Sequence, residues 1–375
     1  MSLTDKPAIA TVLPPRESFG EHKAGALGID VRDWHSCSQF RSNWEVYGGA
    51  QISSFKGITY HPVEARRLRL WSRTEDYARL LVRELRKKSP AIVEIHNRVS
   101  VFLTLAKKLP NVRVCLFVHN DPMTIKGAKK ASERKQILQA AAQVYCVSNY
   151  LKQRLLQGTE GFEDKVKVVS LALPADEIRD KPAHSRKELV FISRMVPEKG
   201  ALELAKALAI VLPKHPEWRS IFIGARHFGG LEPSTDFENE VINTLTPLGE
   251  QVEYRNSLPH SEVMQALEAA EIAVVPSIIP EGFGRTAMEA LACGCALISS
   301  RNGALPEVCG DAAIMLSEVS TDALVDAISK LLTDEHLRTQ MQKQAIEWAQ
   351  DRFSLQKQTA TLDNYRCELL GRTGI

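Results

Sequence analysis

The 375-residue chain has no apolar run near the roughly 18 to 20 residues that a membrane-spanning helix needs. Its amino terminus, MSLTDKPAIATVLPP, lacks the long apolar core of a secretion signal, so a cytoplasmic protein is expected. Charge of one sign is also scarce: 48 Lys and Arg against 45 Asp and Glu leave a formal net charge of +3. That excess is too small to call for nucleic acid, and any basic partner surface must be local. The cysteines are odd in number, seven, and most lie in apolar segments where a reduced thiol packs as a small hydrophobe. Cys293-Gly294-Cys295 has no second Cys/His cluster beside it, which argues against zinc.

Several catalytic signatures are missing as well. No G-x-G-x-x-G follows a strand pattern, and GARHFGGL has Gly224 and Gly229 at P-loop spacing but Gly230-Leu231 where Lys and Ser/Thr are required. There is no G-x-S-x-G elbow, no H-E-x-x-H and no Asp-x-Asp pair. These absences set aside dinucleotide dehydrogenases, P-loop enzymes, serine hydrolases and metal-diphosphate sites. No metal or other cofactor is expected.

What is present is the grammar of an α/β protein. With 44% hydrophobic and 25% charged residues the chain is ordinary and globular, and its length suits two domains. Short apolar runs (AIATVL, AIVEIH, VRVCLFVH, QVYCVS, VKVVSLAL) alternate with amphipathic helical stretches in the first half. The second half repeats the pattern with ELVFIS, RSIFIGA, QVEYRNS, EIAVVPS, CALISS and AAIML. Such alternation predicts two doubly wound parallel sheets. The break falls in LALPADEIRDKPAHSRKE, giving a first domain over 1–174 and a second from 175, and beyond about residue 350 the pattern is helical with no strand after it.

In open parallel sheets ligands bind beyond the carboxyl ends of the strands, so the residues just after each strand carry the candidates. After LVFIS, Arg194 and Lys199 bracket Pro197 at a loop-to-helix entry, where fixed positive charge suits a diphosphate. After IAVVPS comes Pro280-Glu281-Gly282-Phe283-Gly284-Arg285 and a helix carrying Glu289. Its glycines admit a ligand to the backbone, and its two carboxylates can accept from sugar hydroxyls. His96 and His119 stand at strand ends in IHNRVS and VHNDP, and Gly20, Gly25 and Gly28 loosen the first strand-to-helix loop. Each of these can equally be a plain loop residue. The basic segment 64–88, with Leu68, Trp71, Leu81 and Leu85 among arginines, reads either as a helix for an anionic membrane surface or as a solvated helix on the sheet.

Taken together, FISRMVPEKGALELAKAL, AEIAVVPSIIPEGFGRTAMEALACGCALISS and NGALPEVCGDAA resemble the retaining glycosyltransferases of family 4, of GT-B fold. The resemblance covers most of the chain and is most specific over about residues 189–316. It implies two Rossmann-like domains facing across a cleft, the second over 175–352, with the carboxyl-terminal helix, 353–375, crossing back to the first. It implies that Arg194 and Lys199 hold the donor diphosphate, and that Glu281 with the turn Gly282, Phe283, Gly284 and Arg285 holds the donor sugar. Glu289 would take the ribose hydroxyls, His119 would reach the sugar near the reacting centre, and the loop at Gly25 would lie near phosphates and acceptor. The implied activity is metal-independent, retaining transfer of a hexosyl unit from a UDP- or GDP-sugar to a glycan or lipid-linked acceptor. Bacterial cell-surface polysaccharide or lipopolysaccharide assembly is the implied setting, in the cytoplasm or on the inner face of the membrane, with no nucleic-acid partner. A nucleotide-sugar epimerase of the same fold, or a non-catalytic nucleotide-sugar-binding protein, is the alternative. Ser193 and Arg285 depart from the family pattern, which often has glycine and an apolar residue there.

Overall fold

The computed structural model describes residues 8–21, 24–50, 54–66, 72–179, 186–225 and 235–371. Leu68, Trp71, residues 180–185 of the linker and the GARHFGGL stretch beyond residue 225 lie outside them. The chain divides into two compact units, Met1–Ala172 with Leu355–Ile375, and Leu173–Ser354.

Unit 1 holds a seven-stranded parallel sheet in the order β3-β2-β1-β4-β5-β6-β7. Its strands are β1 (Ile9–Val12), β2 (Trp44–Gly48), β3 (Thr59–Pro62), β4 (Ile92–His96), β5 (Arg113–Val118), β6 (Val144–Cys146) and β7 (Val166–Val168). The helices are α1 (Ala26–Cys37), α2 (Arg73–Lys88), α3 (Val99–Lys108), α4 (Ala131–Ala140) and α5 (Asn149–Leu156). β4 is buried at every position, as expected of a central parallel strand covered by helices on both faces. β2 and β3 were not legible as apolar runs: β3 is a four-residue edge strand, partly exposed throughout. At that edge Glu45 accepts from Tyr47 Oη at 2.8 Å and Lys88 Nζ at 3.0 Å, with His61 Nε2 at 2.9 Å. Burial alone would raise the Glu45 carboxyl, but these three partners outweigh it and hold it at about 2. A depressed folded-state pKa contributes stability that is complete above the unfolded value near 4.5 and lost as pH falls toward 2. The difference in Tm between wild type and Glu45→Gln is therefore expected to shrink from pH 5 to pH 2, read by thermal unfolding.

Unit 2 holds a six-stranded parallel sheet in the order β10-β9-β8-β11-β12-β13. Its strands are β8 (Arg186–Ile192), β9 (Arg219–Ile223), β10 (Val252–Arg255), β11 (Ala270–Val275), β12 (Ala296–Ser300) and β13 (Ala313–Leu316). Helices α6 (Ala201–Val211), α7 (Asp236–Leu245), α8 (His260–Ala269), α9 (Arg285–Ala292), α10 (Leu305–Cys309), α11 (Thr321–Thr333) and α12 (Glu335–Arg352) complete it. α6 buries Ala201, Leu204, Ala205, Leu208 and Val211, one stripe at helical spacing. That stripe packs with Leu189, Phe191, Phe222, Ile272 and Ile298 of the sheet and Ile328 and Leu331 of α11.

The last helix, α13 (Leu355–Leu370), belongs to unit 1, where it packs on α1. Its Arg366, wholly buried, explains a carboxylate in the middle of an apolar strand. Arg366 Nε and Nη2 donate to the two oxygens of Glu94 on β4 at 2.8 and 2.7 Å, and Nη1 donates to Asp363 at 2.9 Å. The guanidinium lies 4.1 Å from the Trp44 ring centroid. Ser38 Oγ and the Gln39 N–H in turn donate to Asp363 at 2.9 and 2.8 Å.

Of the basic segment 64–88, the described helix is α2. It starts at Arg73, behind a Ser72/Glu75 capping box, and Leu81 and Leu85 are buried in unit 1. They are spent on the core, so α2 offers cations outward and no apolar ridge. No helix among the described residues is long and apolar enough to cross a membrane.

Candidate functional site

Each sheet reverses its winding at one point, between β8 and β11 in unit 2 and between β1 and β4 in unit 1. Loops leaving such neighbouring strands splay apart and open a crevice at the carboxyl edge. The candidate residues sit at these two places, except His119, which follows β5, the strand next to β4.

In unit 2 the chain leaves β8 through Arg194, turns over Pro197–Lys199 and enters α6 at Gly200. Gly200 has φ of 71°, and a Cβ there would lie 2.1 Å from the Pro276 carbonyl oxygen. The loops after β8 and β11 therefore pass at backbone contact, and the Ile278 N–H donates to the Glu198 carbonyl at 2.9 Å. This contact brings Lys199 onto Glu281: Lys199 Nζ pairs with Glu281 Oε1, and Ser277 Oγ donates to the same oxygen at 2.5 Å. Asn302 Nδ2 ties the loop from beneath, donating to the Ser277 and Ile278 carbonyls at 2.8 and 3.0 Å. Arg194 is exposed and has no side-chain partner among the described residues. The structure thus joins Lys199 to Glu281 and leaves Arg194 facing solvent beside them.

Glu281 is held by its backbone too. It forms a parallel bridge with Gly303, and the Ala304 N–H donates to its carbonyl at 2.9 Å. A Cβ on Gly303, which has φ of 71°, would stand 2.3 Å from the Glu281 carbonyl oxygen and 2.4 Å from its nitrogen. Gly303→Ala is expected to push Glu281 out of place and, on the role the family resemblance implies for that carboxylate, to lower turnover at least about tenfold, since misplacing a substrate-positioning group by about 1 Å costs up to about 10²-fold. Wild-type kcat and KM in this variant would show that the position of Glu281 does not matter.

Beyond Gly282, Phe283 is buried and Gly284 caps the start of α9. Arg285 is its first residue and Glu289 lies one turn on, so the two meet at i, i+4: Arg285 Nε donates to Glu289 Oε1 at 2.7 Å. His260, at the start of α8, brings its Nε2 to 2.9 Å from the same oxygen. Burial would raise the Glu289 carboxyl, but the Arg285 guanidinium and His260 outweigh it and hold the group below its ordinary range. Sequence reasoning missed His260, Ser277 and Asn302. Only their place directly after a strand or at a helix start could have pointed to them.

In unit 1, Gly25 is the N-cap of α1, and the Glu17 carboxylate lies against it. Glu17 Oε1 accepts from the Leu27 and Gly28 N–H groups at 3.0 and 3.2 Å. Burial raises its pKa despite those bonds. His119 follows β5 and is 8% exposed, with its N–H fixed by Asn97 Oδ1 at 2.8 Å. Its Nε2 lies 3.0 Å from His96 Nδ1, and its Nδ1 lies 4.0 Å from Asp30 Oδ2. Burial pushes His119 down to about 3, and His96 is likewise lowered, so the pair is neutral at physiological pH. One of the two facing nitrogens must then carry the proton. A proton on His96 Nδ1 leaves His119 with its own N–H toward the Asp30 carboxylate, the arrangement with the better electrostatics.

Two doubly wound parallel sheets, each with candidate residues at or next to the switch point, form the GT-B architecture. The fold is shared over nearly the whole chain by two solved structures. Anabaena HepE in complex with UDP and glucose superposes with a TM-score of 0.75 at 17% identity, over 97% of this chain and 99% of that one. WaaG, a glycosyltransferase involved in lipopolysaccharide biosynthesis, does so with a TM-score of 0.69 at 14% identity, over 95% and 99%. In sequence, the D-inositol 3-phosphate glycosyltransferase of Corynebacterium glutamicum is 31% identical over 170 residues, 45% of this chain and 40% of that protein. The profile of Glycosyl transferases group 1 matches residues 175–348, and that of Glycosyltransferase Family 4 matches residues 44–176. The chain belongs to glycosyltransferase family 4.

Proposed function

We propose that this glycosyltransferase moves a hexosyl unit from a UDP- or GDP-sugar to a hydroxyl of a glycan or lipid-linked acceptor, with retention at the anomeric carbon and without a metal. The observation that carries this reading is the meeting of Lys199 with Glu281 at the switch point of unit 2, on the same loop as Arg194, which is exposed and has no side-chain partner among the described residues. A departing nucleoside diphosphate gathers negative charge as the anomeric bond stretches. Arg194 and Lys199 offset that charge more in the transition state than in the ground state. Lys199 must swing from Glu281 to do so, which frees the Glu281 carboxylate to accept from sugar hydroxyls. Attack from the leaving-group face, with the departing phosphate taking the acceptor proton, gives retention. HepE, solved with UDP and glucose, supports a uridine donor, and WaaG supports a role in lipopolysaccharide or cell-surface polysaccharide assembly.

The test is incubation with UDP- and GDP-hexoses and a panel of glycan and lipid-linked acceptors, with product configuration read by NMR. Donor turnover that forms a glycoside of unchanged anomeric configuration supports the reading. Inversion overturns the retaining step, isomerised donor without a glycoside overturns transfer, and activity abolished by EDTA and restored by magnesium overturns metal independence.

The setting we propose is the cytoplasmic face of a membrane. Arg79, Arg83, Arg86 and Lys87 are exposed on α2, and Lys107 and Lys108 are exposed at the end of neighbouring α3, where Arg86 Nη2 donates to the Lys108 carbonyl at 3.1 Å. Each cation near an anionic surface is worth about 1 kcal/mol. Flotation with phosphatidylglycerol vesicles at low salt is expected to retain the protein, and 0.5 M salt (about a 4 Å screening length) to release it. Arg83→Glu/Arg86→Glu/Lys87→Glu should lower retention about tenfold or more. Equal flotation with neutral vesicles would contradict a surface held by charge.

A further inference from the structure

The carboxylate of Glu289 is gripped on one side. Arg285 Nε, from the start of its own helix, and His260 Nε2, from the start of α8, both address Oε1, at 2.7 and 2.9 Å. A carboxylate oxygen offers two lone-pair sites, so these two donors fill Oε1. Among the described residues no donor reaches Oε2, although the residue is only 4% exposed. Hydrogen bonds to an ionised group are short and about twice as strong as neutral ones. Two of them from two different helices fix both the position and the rotation of the carboxylate. A carboxylate free to rotate would hold neither oxygen in a fixed place for a hydroxyl.

We infer that Arg285 and His260 are positioning residues that turn Glu289 into a single-oxygen acceptor, presenting Oε2 alone to the ribose hydroxyls of the bound nucleotide. The inference rests on the donor-site reading above. It gives Arg285, which stands where the family often has an apolar side chain, a task that an apolar residue could not perform. It also makes recognition of the ribose depend on two side chains that act through a third. With Oε1 filled, the two hydroxyls share the lone pairs of one oxygen, or one hydroxyl finds a partner elsewhere. Removing either positioning residue lets the carboxylate turn and takes Oε2 from its fixed place, so the preference for ribose over deoxyribose should fall even where overall affinity survives.

The test is calorimetric titration of UDP, GDP and ADP, each beside its 2′-deoxy and 3′-deoxy counterpart. The proteins are wild type, Glu289→Gln, Arg285→Leu, Arg285→Lys and His260→Phe, each checked by thermal unfolding. In wild type, loss of the hydroxyl that reaches Oε2 is expected to weaken binding about tenfold or more, the range for a hydrogen bond to a charged group. Glu289→Gln should cut that ratio to about two- or threefold. Arg285→Leu and His260→Phe should each cut it at least threefold while binding of the deoxy nucleotide changes little, and Arg285→Lys, which can still pair at i, i+4, should restore part of it. A merely structural role would weaken ribose and deoxyribose forms alike and leave the ratio intact. Should Arg285→Leu fail to fold with Glu289 left buried and unpaired, His260→Phe and Arg285→Lys decide. No binding of any nucleotide, or an unchanged ratio in Glu289→Gln, overturns the donor-site reading and the inference with it. A ratio lost in Glu289→Gln but kept in Arg285→Leu and His260→Phe overturns the inference alone.

Discussion

Arg366→Ala is expected to destabilise unit 1 by about 3–5 kcal/mol, the cost of breaking a buried ion pair from one side. The guanidinium is wholly buried, and it is the partner of both oxygens of Glu94 and one of Asp363. Its removal leaves two carboxylates in the interior, one in the centre of a fully buried strand, and takes an aromatic face contact from Trp44. The penalty comes from the charges left behind more than from attraction lost. Arg366→Met/Glu94→Leu/Asp363→Asn, which leaves no buried charge, is therefore expected to recover most of the stability, since apolar replacements of whole buried pairs are often neutral. Urea unfolding of the three proteins measures both differences. A loss below about 1 kcal/mol in Arg366→Ala would place the group in a wetter site than its burial indicates.

Lys199→Ala and Arg194→Ala are each expected to lower kcat by about 10²–10³-fold, the usual cost of one charge-stabilising donor at a reacting centre. The two should differ in KM. Arg194 is exposed and unpartnered among the described residues, so its removal takes away attraction for the diphosphate in both ground and transition states. Lys199 is already committed to Glu281 before any ligand arrives, and its removal also leaves that carboxylate with Ser277 alone. Lys199→Ala should therefore hurt kcat more than KM, and Lys199→Arg should rescue only in part, because the planar fork cannot reproduce the point contact to Oε1. Steady-state kinetics of donor turnover separate these outcomes. Near-wild-type turnover in either alanine variant would remove that residue from the diphosphate site.

The sequence made the parallel-sheet class legible because buried parallel strands are written as apolar runs, such as AIVEIH and AVVPS, between helices with one apolar stripe. It concealed β3 because a four-residue edge strand, partly exposed throughout, carries too few apolar positions to stand out, and β2 because its five residues, WEVYG, set Glu45 and Gly48 among the apolar ones. The loop residues after β8 and β11 were legible as strand-end candidates for a related reason. Glycine, proline and charge in a row just beyond an apolar run mark the end of a strand where backbone approaches backbone. The partners of those residues were not. His260 is 29 residues from Glu289, Asn302 is 25 from Ser277, and Arg366 is 272 from Glu94, and nothing periodic connects such pairs.

The basic segment shows the limit from the other side. Leu81 and Leu85 among arginines look the same in sequence whether the leucines face a lipid or a core, because amphipathic spacing states only that one face is apolar. Burial in unit 1, where α2 packs on α3, decided that they are core.

By itself, then, the sequence determined local matters: which segments are strands and helices, where glycine must stand, and which charges lie at strand ends. Those follow from periodicity and backbone sterics, which act over a few residues. Tertiary structure alone decided that Lys199 meets Glu281, that Glu289 is clamped on one oxygen, and that the last helix returns to the first sheet through one buried arginine. Each is a pairing of charges that cannot be left alone in a low-dielectric interior, and the strand order chooses the partner.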